Sequence, residues 1–132
     1  MQLQFAYMLK QLLPLTLHHA SESADVELET GVKTSEGSHN IDILLRGKTG
    51  TVESLIAIEM KCYKNVASSG GNRGAQNIFM KDVYEDLHVL ERYVSEDKAS
   101  RGVALVMTDR EHFVNPSKKQ GDCWAYDISD NT

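Results

Sequence analysis

Cysteine, long apolar runs and positive charge are all in short supply in this chain, and each shortage excludes a class of protein. The two cysteines, Cys62 and Cys123, lie far apart and match neither a disulfide framework nor the paired spacing of a zinc knuckle. A reducing cytoplasmic environment is therefore the expected location. No apolar run approaches the ~20 residues that cross a bilayer, so we expect no membrane span. The segment 1–14 has a single lysine and no small-residue cleavage pattern, which favours a helix over a secretory signal.

The shortage of positive charge limits how the chain could bind nucleic acid. Lysine and arginine total 14 against 19 acidic residues, and the formal net charge is −5. A protein that coats nucleic acid without specificity usually depends on excess lysine and arginine, so the balance counts against that class. It does not count against a nuclease, because active-site carboxylates add acidic residues and bound cations reverse their local charge.

The hydrophobic pattern predicts an α/β fold with a mixed sheet flanked by helices. A length of 132 residues fits one domain, residues 1–132. The predicted elements are a helix over 2–13, strands over 25–30, 41–46 and 54–63, a helix over 77–94 and a strand over 103–108. Residues 31–40 are expected to form a turn-rich connection. Trp124, Tyr126 and Ile128 are expected to line one side of an edge strand.

Two of these elements allow a more detailed prediction. Both faces of strand 54–63 are apolar, which is typical of a central strand that is covered on both sides. Helix 77–94 carries an apolar stripe at helical spacing, with acidic residues and a lysine elsewhere on its surface. The stripe consists of Phe79, Val83, Leu87, Leu90 and Val94.

Strands 41–46 and 54–63 read as a β-hairpin, and its register decides which side chains meet. If Asp42 is paired with Glu59, then Gly47 is paired with Ser54 and the loop covers 48–53. Directly opposed residues of an antiparallel pair point to the same face, so the two carboxylates would lie a few ångströms apart. Lys61 follows Glu59 by two residues and would point the same way.

Two neighbouring carboxylates and a lysine suit metal-dependent phosphodiester chemistry. Carboxylates are the hard oxygen ligands that Mg²⁺ or Mn²⁺ prefers. Such an ion binds a phosphate oxygen and lowers the pKa of a bound water, and a nearby lysine can orient that water. Without a cation, the acidic pair would repel the phosphate.

The competing interpretation is structural. Charged residues on a strand often form a solvated face, and Lys61 could simply make a salt bridge with Glu59 or Asp42. The apolar neighbours of Glu59 argue against a solvated face, because a charge within a buried strand is costly unless it is paired or bound to a metal.

The segments Ile41-Asp42 and Ile58-Glu59-Met60-Lys61 resemble the motif of the PD-(D/E)xK nuclease superfamily, which has the restriction-endonuclease fold. Ile41 stands where the name has proline. The order of elements is also similar to the core of that superfamily, a helix, three antiparallel strands, a helix and a strand. The resemblance covers roughly residues 2–128.

This resemblance implies a set of site residues. Asp42 and Glu59 would bind Mg²⁺ (or Mn²⁺) together with the main-chain carbonyl of Met60, and Lys61 would position the attacking water. The family often adds a glutamate from the first helix or first strand, for which Glu29 is favoured over Glu27. Some branches use a glutamine on the following helix, usually with a tyrosine four residues later. Gln76 is near that place, with Met80 where the tyrosine would be.

The functional prediction is a metal-dependent nuclease that hydrolyses phosphodiester bonds of nucleic acid, with DNA favoured. Double-strand cutting by so small a chain would require a homodimer. One alternative is a catalytically inactive nuclease-like module that binds nucleic acid or a protein partner, and the acidic balance favours the protein partner. Another is a plain structural or accessory domain without a metal site.

Overall fold

The computed structural model describes residues 1–66, 69–71, 76–116, 119 and 122–129, with the backbone alone for residues 76, 77, 122 and 123. The chain has an α/β architecture with a four-stranded mixed sheet in the order β1-β2-β3-β4. The elements are α1 (Gln2–Leu12), a 3-10 helix (Leu13–Thr16), β1 (Glu22–Thr34), β2 (Gly37–Thr49), β3 (Val52–Tyr63), α2 (Gln76–Ser95), β4 (Arg101–Thr108), α3 (Glu111–Val114) and a second 3-10 helix (Asp122–Tyr126). The predicted succession of one helix, three strands, a helix and a strand is confirmed.

The chain divides into two compact units. The first comprises Met1–Met60 and Val89–Leu105, and the second comprises Lys61–His88 and Val106–Thr132. Strand β3, helix α2 and strand β4 each contribute residues to both. No helix in the described part of the chain is both long enough and apolar enough to span a membrane.

The β1–β2 hairpin of the first unit is much longer than the sequence pattern predicts. Residues 31–40 are not a loop, since β1 continues to Thr34 and β2 begins at Gly37, with Thr34 paired opposite Gly37. Gly37 takes a φ of +140°, which favours glycine at this tight turn. The prediction failed because an antiparallel hairpin can expose one face to water, where polar side chains are tolerated at strand positions.

The β2–β3 hairpin has the predicted register. Gly47 is paired with Ser54, and the ladder runs from Thr49 opposite Val52 to Ile43 opposite Ile58. The connection is shorter than the expected 48–53, because the strands continue to a turn at residues 50–51. Gly50 has a φ of +60° at the first turn position, as a two-residue hairpin turn requires.

Both faces of β3 are covered in the first unit, which confirms the predicted central strand. On one face, Ala57 belongs to a buried cluster with Ile41, Leu44, Leu90, Tyr93 and Ala99. On the other face, Ile58 is buried with Ala6 of α1 and Ile43 of β2.

The close approach of β4 to α2 depends on Gly102. A Cβ at this position would lie 2.9 Å from Leu90 Cβ and 3.4 Å from the Leu90 carbonyl oxygen. Real Cβ atoms do not approach other atoms that closely, so only glycine fits without a shift of the helix or strand.

The second unit has an aromatic core. Tyr63, Phe79 and Phe113 stack with ring centroids 5.1 to 5.2 Å apart, and Met80 and Val83 complete the cluster. Edge-to-face and tilted arrangements of this kind are favoured by the ring quadrupoles.

The predicted stripe of α2 is only partly correct. Phe79, Val83 and Leu90 are buried, but Leu87 and Val94 are about two-fifths exposed, at 41% and 40%. Met80 and Tyr93 are buried instead. Because α2 contributes to two separate clusters, no single stripe along its length is buried.

The predicted edge strand near the C-terminus is wrong. Residues Asp122–Tyr126 form a 3-10 helix. Trp124 and Ile128 both pack against the aromatic core, while Tyr126 is 36% exposed. A strand would have placed residue 126 on the same face as residues 124 and 128.

Candidate functional site

Asp42 lies in β2 between two of the most deeply buried side chains of the chain, Ile41 and Ile43, which are 1% and 0% exposed. In the β1–β2 ladder, Ile43 is opposite Leu28 and Ile41 is opposite Thr30. Asp42 therefore stands beside Glu29, whose φ of +50° lies in the left-handed region. A non-glycine residue in that region costs of order 1 kcal/mol and persists only where its surroundings hold it there.

Both carboxylate oxygens of Asp42 accept hydrogen bonds. The main-chain N–H of Met60 on β3 donates to Oδ2 over 2.7 Å. The side-chain amide of Gln2 on α1 donates to Oδ1 over 3.3 Å. The Asp42 side chain thus contacts β3 at Met60, the residue after Glu59. The predicted pairing of Asp42 with Glu59 lies beyond the end of the ladder, which stops at Ile43 opposite Ile58.

Glu59 is the residue of β3 that precedes Met60. It is half-buried, and its Oε1 atom has no exposed surface. The preceding Ile58 is 5% exposed and the following Met60 packs against the same apolar cluster. A carboxylate oxygen in such a place is stable only when it is hydrogen-bonded, ion-paired or bound to a cation.

Gln2 was missed by the sequence analysis. Besides Asp42 Oδ1, its Nε2 donates to the Asp42 carbonyl oxygen and to Glu29 Oε1, each over 2.8 Å. The only sequence signal for Gln2 is its helical spacing from Phe5, Ala6 and Leu9, the residues by which α1 packs on the sheet.

The two candidate glutamates of β1 are separated by the structure. Glu29 is connected to Asp42 through the shared amide of Gln2. Glu27 instead accepts a hydrogen bond from Arg46, whose Nε lies 2.9 Å from Glu27 Oε1. This hydrogen bond raises the pKa of the arginine.

Lys61 follows Glu59 by two residues on β3 and is the first residue of the second unit. Its Nζ lies 3.1 Å from Asp86 Oδ2 of α2, with side-chain exposures of 31% and 22%. Asp86 is one of the acidic residues that the helical pattern places away from the apolar stripe of helix 77–94. Its spacing from the buried Val83 and Leu90, three residues after the first and four before the second, was the available signal that it turns inward.

A metal site with three side-chain ligands is not evident. Among the described residues, no group of three or more His, Cys, Asp or Glu side chains is arranged to hold an ion. The side chain of Gln76, another candidate, lies outside the described residues. In the first unit, the amide of Gln2 therefore brings Asp42 and Glu29 together, while Glu59 lies on β3 immediately before Met60, the residue that donates to Asp42.

Comparison with known proteins adds no further assignment. No protein-family model, no curated protein and no solved structure matches this chain.

Proposed function

We propose that this protein is a metal-dependent nuclease of PD-(D/E)xK type that hydrolyses phosphodiester bonds of nucleic acid, with DNA as the favoured substrate. The observation that carries the proposal is the Asp42 carboxylate, which accepts the N–H of Met60, the residue after Glu59, over 2.7 Å. The order of a helix, three strands, a helix and a strand supports a restriction-endonuclease-like core.

The residues present fit a hard divalent cation, Mg²⁺ or Mn²⁺. Asp42 and Glu59 would hold it together with the Met60 carbonyl, and all three ligands are oxygen atoms. Mg²⁺ usually keeps several waters and binds through one or two carboxylates plus substrate phosphate, so a third carboxylate is not required. The ion would neutralise phosphate charge and lower the pKa of a water molecule. Glu29 is the candidate for an additional, water-mediated contact.

Lys61 would orient the attacking water and compensate the charge that develops on the phosphate. This role rests on its position two residues after Glu59 in the motif. Its ion pair with Asp86 is partly exposed, and such pairs contribute about 0–1 kcal/mol. The ammonium can therefore exchange Asp86 for a water or phosphate oxygen at small cost.

A second candidate is an inactive nuclease-like module that binds nucleic acid or a protein. The Lys61–Asp86 ion pair favours it, because a lysine that stays engaged by a carboxylate does not assist hydrolysis. The formal net charge of −5 favours a protein over nucleic acid as the partner of such a module.

The first test is Mn²⁺- or Mg²⁺-dependent cleavage of double-stranded DNA, single-stranded DNA and RNA. We expect Lys61→Ala to cleave at least about 100-fold more slowly than the unmodified protein, the usual effect of removing one group that stabilises a transition state. Lys64→Ala is the matched control, because Lys64 is exposed just beyond the end of β3. Equal rates for both variants would remove Lys61 from the mechanism.

Calorimetric titration with Mn²⁺ separates the two candidates. The nuclease binds the ion and loses it in Asp42→Asn, whereas the inactive module gives no heat of binding and no cleavage. If cleavage of double-stranded DNA is found, sedimentation at increasing concentration tests whether the active species is the proposed homodimer, since two strands require two sites.

A further inference from the structure

Gln2 contacts two carboxylates, those of Asp42 and Glu29, through one amide group. Its Nε2 has two hydrogens and three acceptors within reach: Glu29 Oε1 at 2.8 Å, the Asp42 carbonyl oxygen at 2.8 Å and Asp42 Oδ1 at 3.3 Å. An amide NH₂ can serve three acceptors when one hydrogen is shared between two of them.

The position of this amide is set by the packing of α1. Gln2 is half-buried and shares a helix face with Phe5, Ala6 and Leu9, which pack with Ile43 and Ile58 of the sheet. Because that face is anchored by apolar burial, the Gln2 side chain meets the sheet at a constant place. It meets β1 at Glu29, the residue whose φ of +50° departs from the strand conformation.

We propose that Gln2 is a positioning residue for the metal-binding carboxylate of Asp42. The Met60 N–H holds Oδ2 and the Gln2 amide holds Oδ1, so two donors from different elements fix the plane of one carboxylate. Each oxygen keeps a lone pair for a cation, since a carboxylate can accept about four hydrogen bonds. The role of Gln2 in metal binding rests on the proposed nuclease function.

The neutrality of the donor explains why an amide suits this place. A lysine or arginine would also donate to Asp42 and Glu29, but its positive charge would compete with a divalent cation for the carboxylates. A glutamate could not donate at neutral pH and would add a third negative charge. The amide orients both carboxylates and leaves their charge available to the cation.

The test compares Gln2→Ala and Gln2→Glu with Gln4→Ala, which truncates an exposed glutamine of the same helix. The first readout is the dissociation constant of Mn²⁺ by calorimetry, together with kcat and KM for cleavage. We expect Gln2→Ala and Gln2→Glu to bind Mn²⁺ at least about tenfold more weakly, as is usual for groups that orient a metal ligand. We expect kcat to fall at saturating substrate with little change in KM, and Gln4→Ala to match the unmodified protein.

A second readout does not depend on metal or activity. Hydrogen exchange of the Met60 amide, measured by NMR in the presence of EDTA, reports how firmly Asp42 Oδ2 is held. Gln2→Ala should speed this exchange about fivefold while leaving the amides of the β2–β3 ladder unchanged, because it removes one hydrogen bond on the other oxygen. Gln4→Ala should leave the Met60 amide unchanged.

The two readouts distinguish failure of this proposal from failure of the nuclease. If the unmodified protein neither binds Mn²⁺ nor cleaves, but Gln2→Ala still speeds exchange at Met60, the nuclease proposal fails and the orienting contact stands. Unchanged Mn²⁺ affinity and unchanged Met60 exchange in Gln2→Ala would overturn the positioning role. The positioning role would also be overturned if Gln2→Glu bound Mn²⁺ as tightly as the unmodified protein. The hydrogen-bond donor of the amide would then not be needed for metal binding.

Discussion

Replacement of Asp42 by asparagine tests the hydrogen bonds of the candidate site by a measurement that does not depend on catalytic activity. The aspartate offers an oxygen to each of two donors, the Met60 N–H on Oδ2 and the Gln2 amide on Oδ1. Asparagine has the same shape but only one oxygen. In either orientation its own NH₂ group therefore faces one of the two donors.

The expected loss of stability follows from those two contacts. A hydrogen bond to a charged group contributes about 1.5–3 kcal/mol, and a donor left facing another donor loses its partner without compensation. We therefore expect Asp42→Asn to lower the free energy of unfolding by about 2 kcal/mol. For a chain of 132 residues, that corresponds to a fall in Tm of roughly 6–10 °C.

The assay is thermal or urea unfolding in EDTA, with Asp25→Asn as the control. Asp25 is exposed on β1, and its Oδ1 accepts only the N–H of the next residue, Val26, in the contacts described for it. An asparagine oxygen can make that bond equally well, so we expect Asp25→Asn to melt within about 1 °C of the unmodified protein. If the two variants melt together, the Asp42 carboxylate is not held between two donors and the reasoning is refuted.

The same pair of variants then tests the metal. A ligand that binds only the folded state at 100 times its dissociation constant stabilises it by about 2.7 kcal/mol. Mn²⁺ should therefore raise the Tm of the unmodified protein and of Asp25→Asn, and leave Asp42→Asn unchanged. A shift of equal size in all three would place the ion elsewhere.

Two further predictions concern the rest of the chain. Gly102→Ala should lower the free energy of unfolding, measured in urea, by about 1–3 kcal/mol, because the added Cβ would be overpacked against α2. Gly47→Ala is the control. Its Cβ would lie 3.9 Å from the nearest atom, so it should change the free energy of unfolding by less than about 1 kcal/mol. A hydrogen bond from the Lys119 ammonium, with another from a main-chain N–H, lowers the pKa of Asp127 from 3.8 to about 2. Because the folded state favours the ionised carboxylate, this contribution is present above about pH 4 and is lost as the pH falls towards 2. Acid unfolding of Asp127→Asn should therefore be less steep between those pH values, and an unchanged profile would contradict the ion pair.

Much of the architecture could be predicted because it is encoded in neighbouring residues. The hairpin of strands 41–46 and 54–63, set in the register that opposes Asp42 to Glu59, predicted the pairing of Gly47 with Ser54, which the structure confirms. Ala57 and Ile58 belong to buried clusters on opposite faces of β3, so packing on both faces constrains the register. The prediction for residues 31–40 failed because the segment is polar, whereas those for the stripe of α2 and for the edge strand near the C-terminus failed in apolar segments, where local spacing did not show which side chains are buried.

The sequence by itself determined the succession of helices and strands, the central place of β3 and the pairing of Gly47 with Ser54, since each follows from local patterns over a few residues. Only the tertiary structure showed that Gln2 binds Asp42 and Glu29, and that Asp86 binds Lys61. These partners are separated by 25 to 40 positions along the chain, and no local pattern relates them. Their contact depends on how helices α1 and α2 pack their apolar faces, and that packing is decided by burial across the whole unit.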